Sequence, residues 1–199
     1  MTLWLPAAPG HERYLKQFVC TQPITERNHF GKPVASDPWS HTVQKLVRGI
    51  RVKDIRSPRR VDLVFNADKQ RIDAVICYDI YWEEPTVLRV DVHLIATHVS
   101  CQGNGLGKEM LRRLETVALA EASSRPATDV LLNAQVHVSN EPCRALIVDR
   151  GWLPIEMTDD EEYESWGTSL ELQNDAHVES VKSGSPEAAT GEIPNEPSL

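Results

Sequence analysis

The longest regular pattern in the chain is an alternation of apolar and polar positions, followed by a helical repeat. In Val87–Thr97 every second side chain is apolar, which predicts a half-buried strand. From Gly105 to about residue 121, apolar side chains recur every three or four positions, which predicts an amphipathic helix. The segment Gln102–Gly107, Gln-Gly-Asn-Gly-Leu-Gly, lies between them. We therefore expect a strand, a glycine-rich turn and a helix in that order.

A strictly alternating strand has two distinct faces, because successive side chains point to opposite sides. One face is expected in the core and carries Leu88, Val90, Val92, Leu94 and Ala96. The other face could line a cleft and carries Arg89, Asp91, His93 and Ile95.

The pattern predicts further strands and helices on both sides of this unit. Strands are expected at residues 2–5, 61–66, 71–82, 130–139, 152–157 and 164–172. Helices are expected at residues 12–19, from Ser36-Asp37-Pro38 to about residue 55, and from a cap at Asn140 to a left-handed stop at Gly151. Short turns join the three strands ahead of the glycine-rich loop, which is typical of an antiparallel meander. The expected fold class is α/β (α+β), a mixed central sheet of about seven strands flanked by about four helices.

Composition divides the chain into one domain and an acidic tail. The chain is 41% hydrophobic and 25% charged, as in an ordinary globular protein. Residues 156–199 hold 12 of the 29 acidic residues and one of the 21 basic residues, so the part before them is mildly basic. We expect a folded domain at residues 1–172 and a disordered tail at residues 173–199, where large apolar residues are almost absent.

We expect neither a membrane-spanning segment nor a secretory signal. The chain has no run of about 18 apolar residues, and its first residues do not resemble a secretory signal. The widely spaced Cys20, Cys77, Cys101 and Cys143 form no CxxC pair and no Cys/His cluster, so we expect free thiols in a cytoplasmic protein and no metal site.

A basic cluster begins in the second half of the second predicted helix and ends just before the next predicted strand. Its members are Lys45, Arg48, Arg51, Lys53, Arg56, Arg59 and Arg60. A solvated surface explains this cluster, and a contact for an anionic acceptor or nucleic-acid phosphates is the alternative. Because no aromatic side chains interleave for base stacking, we expect no nucleic-acid partner.

The glycine-rich turn has the composition of an anion site. The first N–H groups of a helix have no intrahelical partner, the helix dipole is positive there, and glycines admit a ligand close to the backbone. We expect a pyrophosphate at this turn. A plain strand-to-helix turn and a dinucleotide fingerprint are alternatives, although the fingerprint has a different glycine spacing and lies in a parallel unit near the chain start.

The motif Gln102-x-x-Gly105-x-Gly107, placed between a strand and a helix, resembles the phosphate loop Q/R-x-x-G-x-G/A of the GNAT N-acyltransferases. A second resemblance is Asn140 at a helix start with Gly151 and Trp152 eleven and twelve residues later. Together they cover about residues 2–172. The resemblance implies the GNAT fold, acetyl-CoA as co-substrate without a metal, and transfer of an acetyl group to a primary amine.

The resemblance also implies roles for individual residues. Backbone N–H groups would hold the CoA pyrophosphate at Gln102, Gly103, Asn104, Gly105, Leu106, Gly107 and Lys108. The backbone of Ile95, Ala96 and Thr97 would pair with the pantetheine arm, as an added strand does. The N–H of Leu94 or Ile95 would face the thioester oxygen. The Asn140 side chain would reach the pantetheine amides, a role compatible with capping its helix.

The chemistry requires a base for the amine, and His93 is the first candidate because imidazole titrates near neutral pH. Asp91 could relay a proton or bind a cationic acceptor. Further candidates on the preceding strand are Asp79, Tyr81 and Glu83. The alternative for His93 is a strand histidine satisfied by a neighbour, and structural roles are expected for His98 and His137.

One departure concerns the general acid. The family often carries a Tyr seven residues after the Asn, where this chain has Ile147, and the nearby Cys143 and Ser139 are poor substitutes. A non-catalytic acyl-CoA-binding module is therefore an alternative function, and a nucleic-acid-bound amine is an alternative acceptor. Residues 11–60 would determine the acceptor, a small molecule or a protein, and carry no motif that identifies it. A homodimer is compatible with the family.

Overall fold

A computed structural model describes residues 3–32, 37–159 and 161–172. Its single sheet has seven strands in the order β1-β2-β3-β4-β5-β7-β6. The strands are β1 (Leu3–Pro6), β2 (Arg59–Phe65), β3 (Ile72–Glu84), β4 (Val87–Thr97), β5 (Asp129–His137), β6 (Leu153–Met157) and β7 (Tyr163–Ser169). The expected mixed seven-stranded sheet is confirmed, and β4 has the predicted bounds.

Four α-helices flank the sheet within the described residues. They are α1 (Glu12–Lys16), α2 (Pro38–Gly49), α3 (Leu106–Ala122) and α4 (Glu141–Asp149). The first two end earlier than predicted, and a separate 3-10 turn at Val52–Asp54 follows α2. Thr2, Ser36 and the expected tail at residues 173–199 lie outside the described residues. None of the helices seen is long and apolar enough to cross a membrane.

The sheet changes direction at its centre. Strands β1 to β4 pair antiparallel with their neighbours, as the meander predicted. Helix α3 carries the chain back to the end of the sheet at which β4 starts, so β5 pairs parallel with β4. Strand β7 then pairs antiparallel with β5. The glycine-rich turn therefore lies between the carboxyl end of β4 and the start of α3, at one end of the two central strands.

The two faces of the sheet bury separate cores. The face covered by α3 and α4, here called the α3 face, buries side chains such as Met110, Leu114 and Trp152. The face covered by α1 and α2, here called the α2 face, buries Leu15 and Val47 among others. Both cores include side chains of β3 and β4, so the central strands are covered on both sides.

Candidate functional site

A β-bulge at His93 changes the direction in which β4 presents its side chains. Tyr78 of β3 lies opposite Val92 and the next residue, Cys77, lies opposite Leu94, which leaves His93 without a partner on β3. An extra residue on one strand shifts the alternation by one position. The prediction that strict alternation continues through β4 is therefore wrong beyond His93.

The consequences of the bulge concern both predicted faces. Leu88, Val90 and Val92 all belong to the core on the α3 face. Leu94 and Ala96, predicted with them, belong instead to the core on the α2 face. Ile95, predicted beside His93, packs against the α3 face. His93 remains on the same face as Asp91, because it contacts Asp79, which lies opposite Asp91 in β3.

The sheet splits where β4 reaches this bulge. The parallel pairing of β4 with β5 ends at Val92 and Ala134, whereas β4 continues beside β3 and β5 continues beside β7. A cavity of about 130 Å³ lies at the split. Both faces line it, through Trp39, Thr42, Val43 and Leu46 of α2, Leu111 of α3, and Cys143 and Ile147 of α4. The split thus connects the α3 face with the α2 face.

The edge of β4 along the split carries free backbone groups. Residues of an antiparallel strand alternate between facing their partner strand and facing away. The N–H of His98 donates to the C=O of Asp73 at 2.7 Å, so the polar groups of Ala96 also face β3. Those of Ile95 and Thr97 face the split, where the Thr97 C=O accepts from Gln102 Nε2 at 3.4 Å. The Ile95 groups and the Thr97 N–H are therefore the ones that point toward an extended ligand, whereas those of Ala96 point toward β3.

The glycine-rich turn needs glycine at two positions. Gly103 and Gly105 have φ angles of 79° and 78°, a region that side chains with a Cβ rarely adopt. Gly105 is the N-cap of α3, and the first backbone bond into the helix is from Glu109 N–H to Gly105 C=O. Among the described residues, no group accepts from the N–H groups of Leu106, Gly107 or Lys108. Three N–H donors thus point out of the helix start.

Side chains hold this turn in place. The Gln102 Nε2 donates to the C=O of Cys20 at 2.7 Å, so the Gln102 side chain anchors the turn instead of lying open for a ligand. A Cβ at Gly107 would lie 2.9 Å from Leu146 Cδ2, so α4 packs tightly against the start of α3. Lys108 Nζ lies 2.9 Å from Asp149 Oδ2, beside the same turn.

The start of α4 forms the far wall of the cavity. Asn140 caps the helix, as predicted, through its Oδ1, which accepts from Cys143 N–H at 3.2 Å. Its side-chain NH₂ remains available to a ligand in the cavity, since Asn140 lines it. Trp152 also lines the cavity, and its buried indole N–H has no acceptor within the described part of the chain. Both side chains would donate to a ligand that carries carbonyl groups.

Ile147 is 1% exposed and lines the cavity on the α3 face, so no proton donor stands at that position. Burial raises the pKa of the neighbouring Cys143 thiol to about 11. A group with that pKa is a weaker acid than an ordinary cysteine-type thiol, whose pKa is near 8.5 in water. Cys143 is therefore a poor proton donor to a leaving thiolate.

His93 enters the cavity from the α2 face, and its side chain is 40% exposed. Its Nε2 lies 2.9 Å from Asp79 Oδ2, and Asp79 accepts two hydrogen bonds from Arg59, at 2.9 and 3.1 Å. The hydrogen bond from Arg59, with a smaller contribution from His93, lowers the pKa of the Asp79 carboxyl. Arg59 Nη2, which can only donate, also lies 3.2 Å from Nε2, so this nitrogen faces both a donor and an acceptor. In the tautomer with the hydrogen on Nε2, the ring would donate to Asp79 and Nδ1 would carry the free lone pair.

Asp91 lies in a separate polar group on the α2 face, at the closed end of the split. Tyr81 Oη donates to Asp91 Oδ2 at 2.7 Å, and Asn133 Nδ2 of β5 donates to Asp91 Oδ1 at 3.3 Å. Burial, followed by the hydrogen bond to Asp91, raises the pKa of Tyr81 to about 12, so its hydroxyl stays protonated. Neither donor is charged, so Asp91 is held without being neutralised.

The sequence did not point to several residues around the site. Arg59, Asn133 and Tyr163 come from β2, β5 and β7, and only the strand register brings them near the residues of β4. Tyr163 lines the cavity beside His137, and their rings make an edge contact at 5.3 Å. No local motif marks these positions.

The two histidines with expected structural roles, His98 and His137, accept local hydrogen bonds. His98 Nδ1 accepts from Ser100 N–H, and His137 Nδ1 accepts from Ser139 N–H. Two members of the basic cluster form ion pairs, Arg59 with Asp79 and Arg60 with Glu121. No group of three metal-ligating side chains occurs in the ranges that the structure describes.

Similarity to known proteins lies in the fold and not in the sequence. No protein-family model and no curated protein matches the sequence. The fold is similar to a GNAT-family acetyltransferase structure from Desulfovibrio desulfuricans, at 12% identity over 86% of this chain and 99% of that chain, with a TM-score of 0.52. A mutant of the AtaT toxin, bound to the C-terminus of the antitoxin AtaR and acetyl-CoA, matches at 12% identity over 84% and 92%, with a TM-score of 0.57.

A third similar structure is Arabidopsis thaliana Naa50 in complex with the bisubstrate analogue CoA-Ac-MVNAL. It is 12% identical over 85% of this chain and 99% of that chain, with a TM-score of 0.54. The chain thus has the GNAT acetyltransferase fold, with the split sheet and the glycine-rich turn described above.

Proposed function

We propose that this protein is an acetyl-CoA-dependent N-acetyltransferase that acts on a primary amine of a small molecule or protein. One observation carries the proposal. Strand β4 runs along the split and leads into the turn where α3 starts, and within the described residues the first N–H groups of α3 have no acceptor. A long ligand with an anionic group at one end and amides along its arm matches this arrangement, and acetyl-CoA has that form.

The donor would bind along the backbone. Its pyrophosphate would accept from the N–H groups of Leu106, Gly107 and Lys108, where the helix dipole favours an anion. Its pantetheine arm would pair with the backbone groups of Ile95 and with the Thr97 N–H, as a strand added to the edge of β4. The Asn140 NH₂ and the Trp152 N–H would donate to carbonyl oxygens within the cavity.

The acceptor would approach from the α2 face, where His93 reaches the split. Nδ1 of His93 would remove a proton from the acceptor ammonium, since an ammonium has no lone pair. The amine nitrogen would attack the thioester carbon and form the N–C bond, and the C–S bond would break to release CoA. The second nitrogen proton leaves as the tetrahedral intermediate collapses, and the CoA thiolate is protonated by solvent.

The N–H of Ile95 is the donor that supports the developing oxyanion, because it faces the split. With Ile147 in the cavity wall and Cys143 a weak acid, the thiolate would depart without a protein proton donor. A thiol with a pKa near 8.5 is a good enough leaving group for this step.

The proposal is tested by release of free CoA thiol from acetyl-CoA across mixed pools of primary amines. The expected result is amine-dependent release in at least one pool, with the acetylated amine found by mass spectrometry. Absence of amine-dependent release across a broad panel, under conditions where acetyl-CoA binds, would contradict catalysis.

A non-catalytic acyl-CoA-binding module is the second candidate, because Ile147 stands where the family often has a proton donor. Its own signature would be calorimetric binding of acetyl-CoA with no turnover of any amine. A variant that restores a hydroxyl cannot decide between the two, since Ile147 is fully packed in the core.

A further inference from the structure

The α2 face carries one carboxylate that differs from its neighbours. Asp79 is paired with Arg59, and Glu83 is paired with Arg89 at 2.8 Å. Asp91 lies on the same face but, over the described residues, has no Lys, Arg or His within ion-pair distance. Its two hydrogen bonds come from neutral groups, Tyr81 and Asn133. Among these carboxylates of β3 and β4, Asp91 is thus held by neutral donors whereas Asp79 and Glu83 are ion-paired.

The position of Asp91 relative to His93 is set by the sheet. Both side chains lie on the α2 face and flank Asp79, which is opposite Asp91 and bonded to His93. Two residues along a strand correspond to roughly 7 Å. Asp91 pairs with Asn133 one step before the split begins at Val92 and Ala134. An acceptor amine at His93 would thus have Asp91 within the length of a short carbon chain.

The surroundings of Asp91 offer further oxygen acceptors. Asn133 donates its NH₂ to Asp91, which leaves its Oδ1 free to accept. A Cβ at Gly167 would lie 2.7 Å from Ile155 Cδ1 and 3.2 Å from that Oδ1, so the Ile155 side chain packs over the glycine next to the amide oxygen. Tyr81 Oη, which donates to Asp91, still has lone pairs to offer. Three oxygens of this kind suit an ammonium group, which has only donors.

We propose that the acceptor is a diamine-type molecule whose second ammonium group binds Asp91 and the Asn133 Oδ1 while its reacting amine lies at His93. This inference rests on the proposed function and names the acceptor class of the same site. It makes Asp91 a specificity-determining residue, and the base at His93 does not depend on it.

The test compares acceptors that differ by one charge. Putrescine and n-butylamine have the same carbon chain, and cadaverine and n-pentylamine form a second matched pair. Acetyl transfer to each is measured as kcat/KM with the wild-type protein, Asp91→Asn and, as a control, Asp68→Asn. The last variant also removes one negative charge, but in the exposed turn between β2 and β3. The wild type and Asp68→Asn should prefer the diamines by about tenfold or more, as expected for a charge-assisted hydrogen bond.

In Asp91→Asn the preference should fall to about twofold or less, because the diamines lose the partner of their second ammonium group and therefore lose more activity than the monoamines do. Equal use of diamine and monoamine by the wild type, or a preference that survives in Asp91→Asn, would overturn the assignment.

A binding measurement separates this inference from the proposed function. Putrescine and n-butylamine are titrated by calorimetry into the protein saturated with CoA, which requires no turnover. Tighter putrescine binding that is lost in Asp91→Asn supports the cation site even if no amine is acetylated, in which case the proposed function fails and the site assignment stands. Equal binding of the two amines overturns the site assignment, whether or not any amine is acetylated.

Discussion

The two faces of the sheet contribute to the split in different ways. On the α3 face the groups proposed to bind the donor are mostly backbone N–H groups, from the start of α3 and the edge of β4. On the α2 face they are side chains that depend on one another, such as His93 with Asp79 and Asp91 with Asn133. A backbone site survives most side-chain substitutions, whereas a side-chain site is lost when one partner changes. Substitutions on the α2 face should therefore affect turnover, and substitutions in the glycine-rich turn should affect donor binding.

The largest effect is expected from His93→Ala. General-base catalysis contributes about 10²- to 10⁴-fold, so kcat/KM for the acceptor should fall by that range. The dissociation constant of acetyl-CoA should change little, because the donor binds to the backbone. Steady-state kinetics and calorimetry measure the two quantities on the same preparation. If affinity for acetyl-CoA falls as much as turnover does, the division between the two faces fails.

Asp79→Asn should have the next largest effect. Asp79 is a positioning residue, since it holds the His93 ring and is itself held by Arg59. A misplaced catalytic group costs up to about 100-fold, so kcat should fall while the KM for acetyl-CoA is unchanged. Asp79→Glu, which keeps the carboxylate, should recover part of the loss. Full activity in Asp79→Asn would show that His93 is oriented without it.

Gly105→Ala tests the other face. The left-handed conformation at φ 78° costs a residue with a Cβ about 1–2 kcal/mol, so the turn should rearrange and acetyl-CoA should bind about tenfold more weakly. Gly49→Ala, at the end of α2 with open space around its Cβ, is the matched control and should bind acetyl-CoA normally. Normal binding by Gly105→Ala would mean that the turn does not hold the donor.

The sequence also predicts the candidate groups of the two faces unequally well. The glycine-rich turn is one continuous segment, and Gly103 and Gly105 are required by local backbone angles, so the turn at Gln102–Gly107 could be located from the sequence. The caps at Asn140 and Gly151 were likewise local and are confirmed. Strand β4 was predicted with its observed bounds.

The α2 face could not be predicted in the same way. The bulge at His93 has no glycine or proline to mark it, and it moves Leu94 and Ile95 to faces opposite to those predicted. Arg59 is 20 residues from Asp79 and 34 from His93, and Asn133 is 42 residues from Asp91, so only the strand register brings these partners together. Helix α2 ended before its predicted stop because Ile50 takes an extended conformation.

The smallest effect concerns stability and pH. The hydrogen bond from Arg59 lowers the pKa of Asp79, so this pair stabilises the fold above the ordinary carboxyl pKa and stops doing so as pH falls through the lowered value. Asp79→Asn should therefore be less stable than the wild type at neutral pH, by at most about 1 kcal/mol, as for a solvent-screened pair. The difference should vanish toward low pH in denaturant unfolding. A difference that stays constant with pH would place its origin elsewhere.

The most direct test of the central claim, that the donor occupies the split along β4, is the response of backbone amides to acetyl-CoA and to acetyl-pantetheine in NMR spectra. Acetyl-CoA should shift the amides of Ile95 and Thr97 together with those of Leu106, Gly107 and Lys108. Acetyl-pantetheine, which lacks the pyrophosphate, should shift Ile95 and Thr97 and leave the α3 start unchanged. Shifts confined to another surface, with Ile95 and Thr97 unmoved by both ligands, would contradict the account.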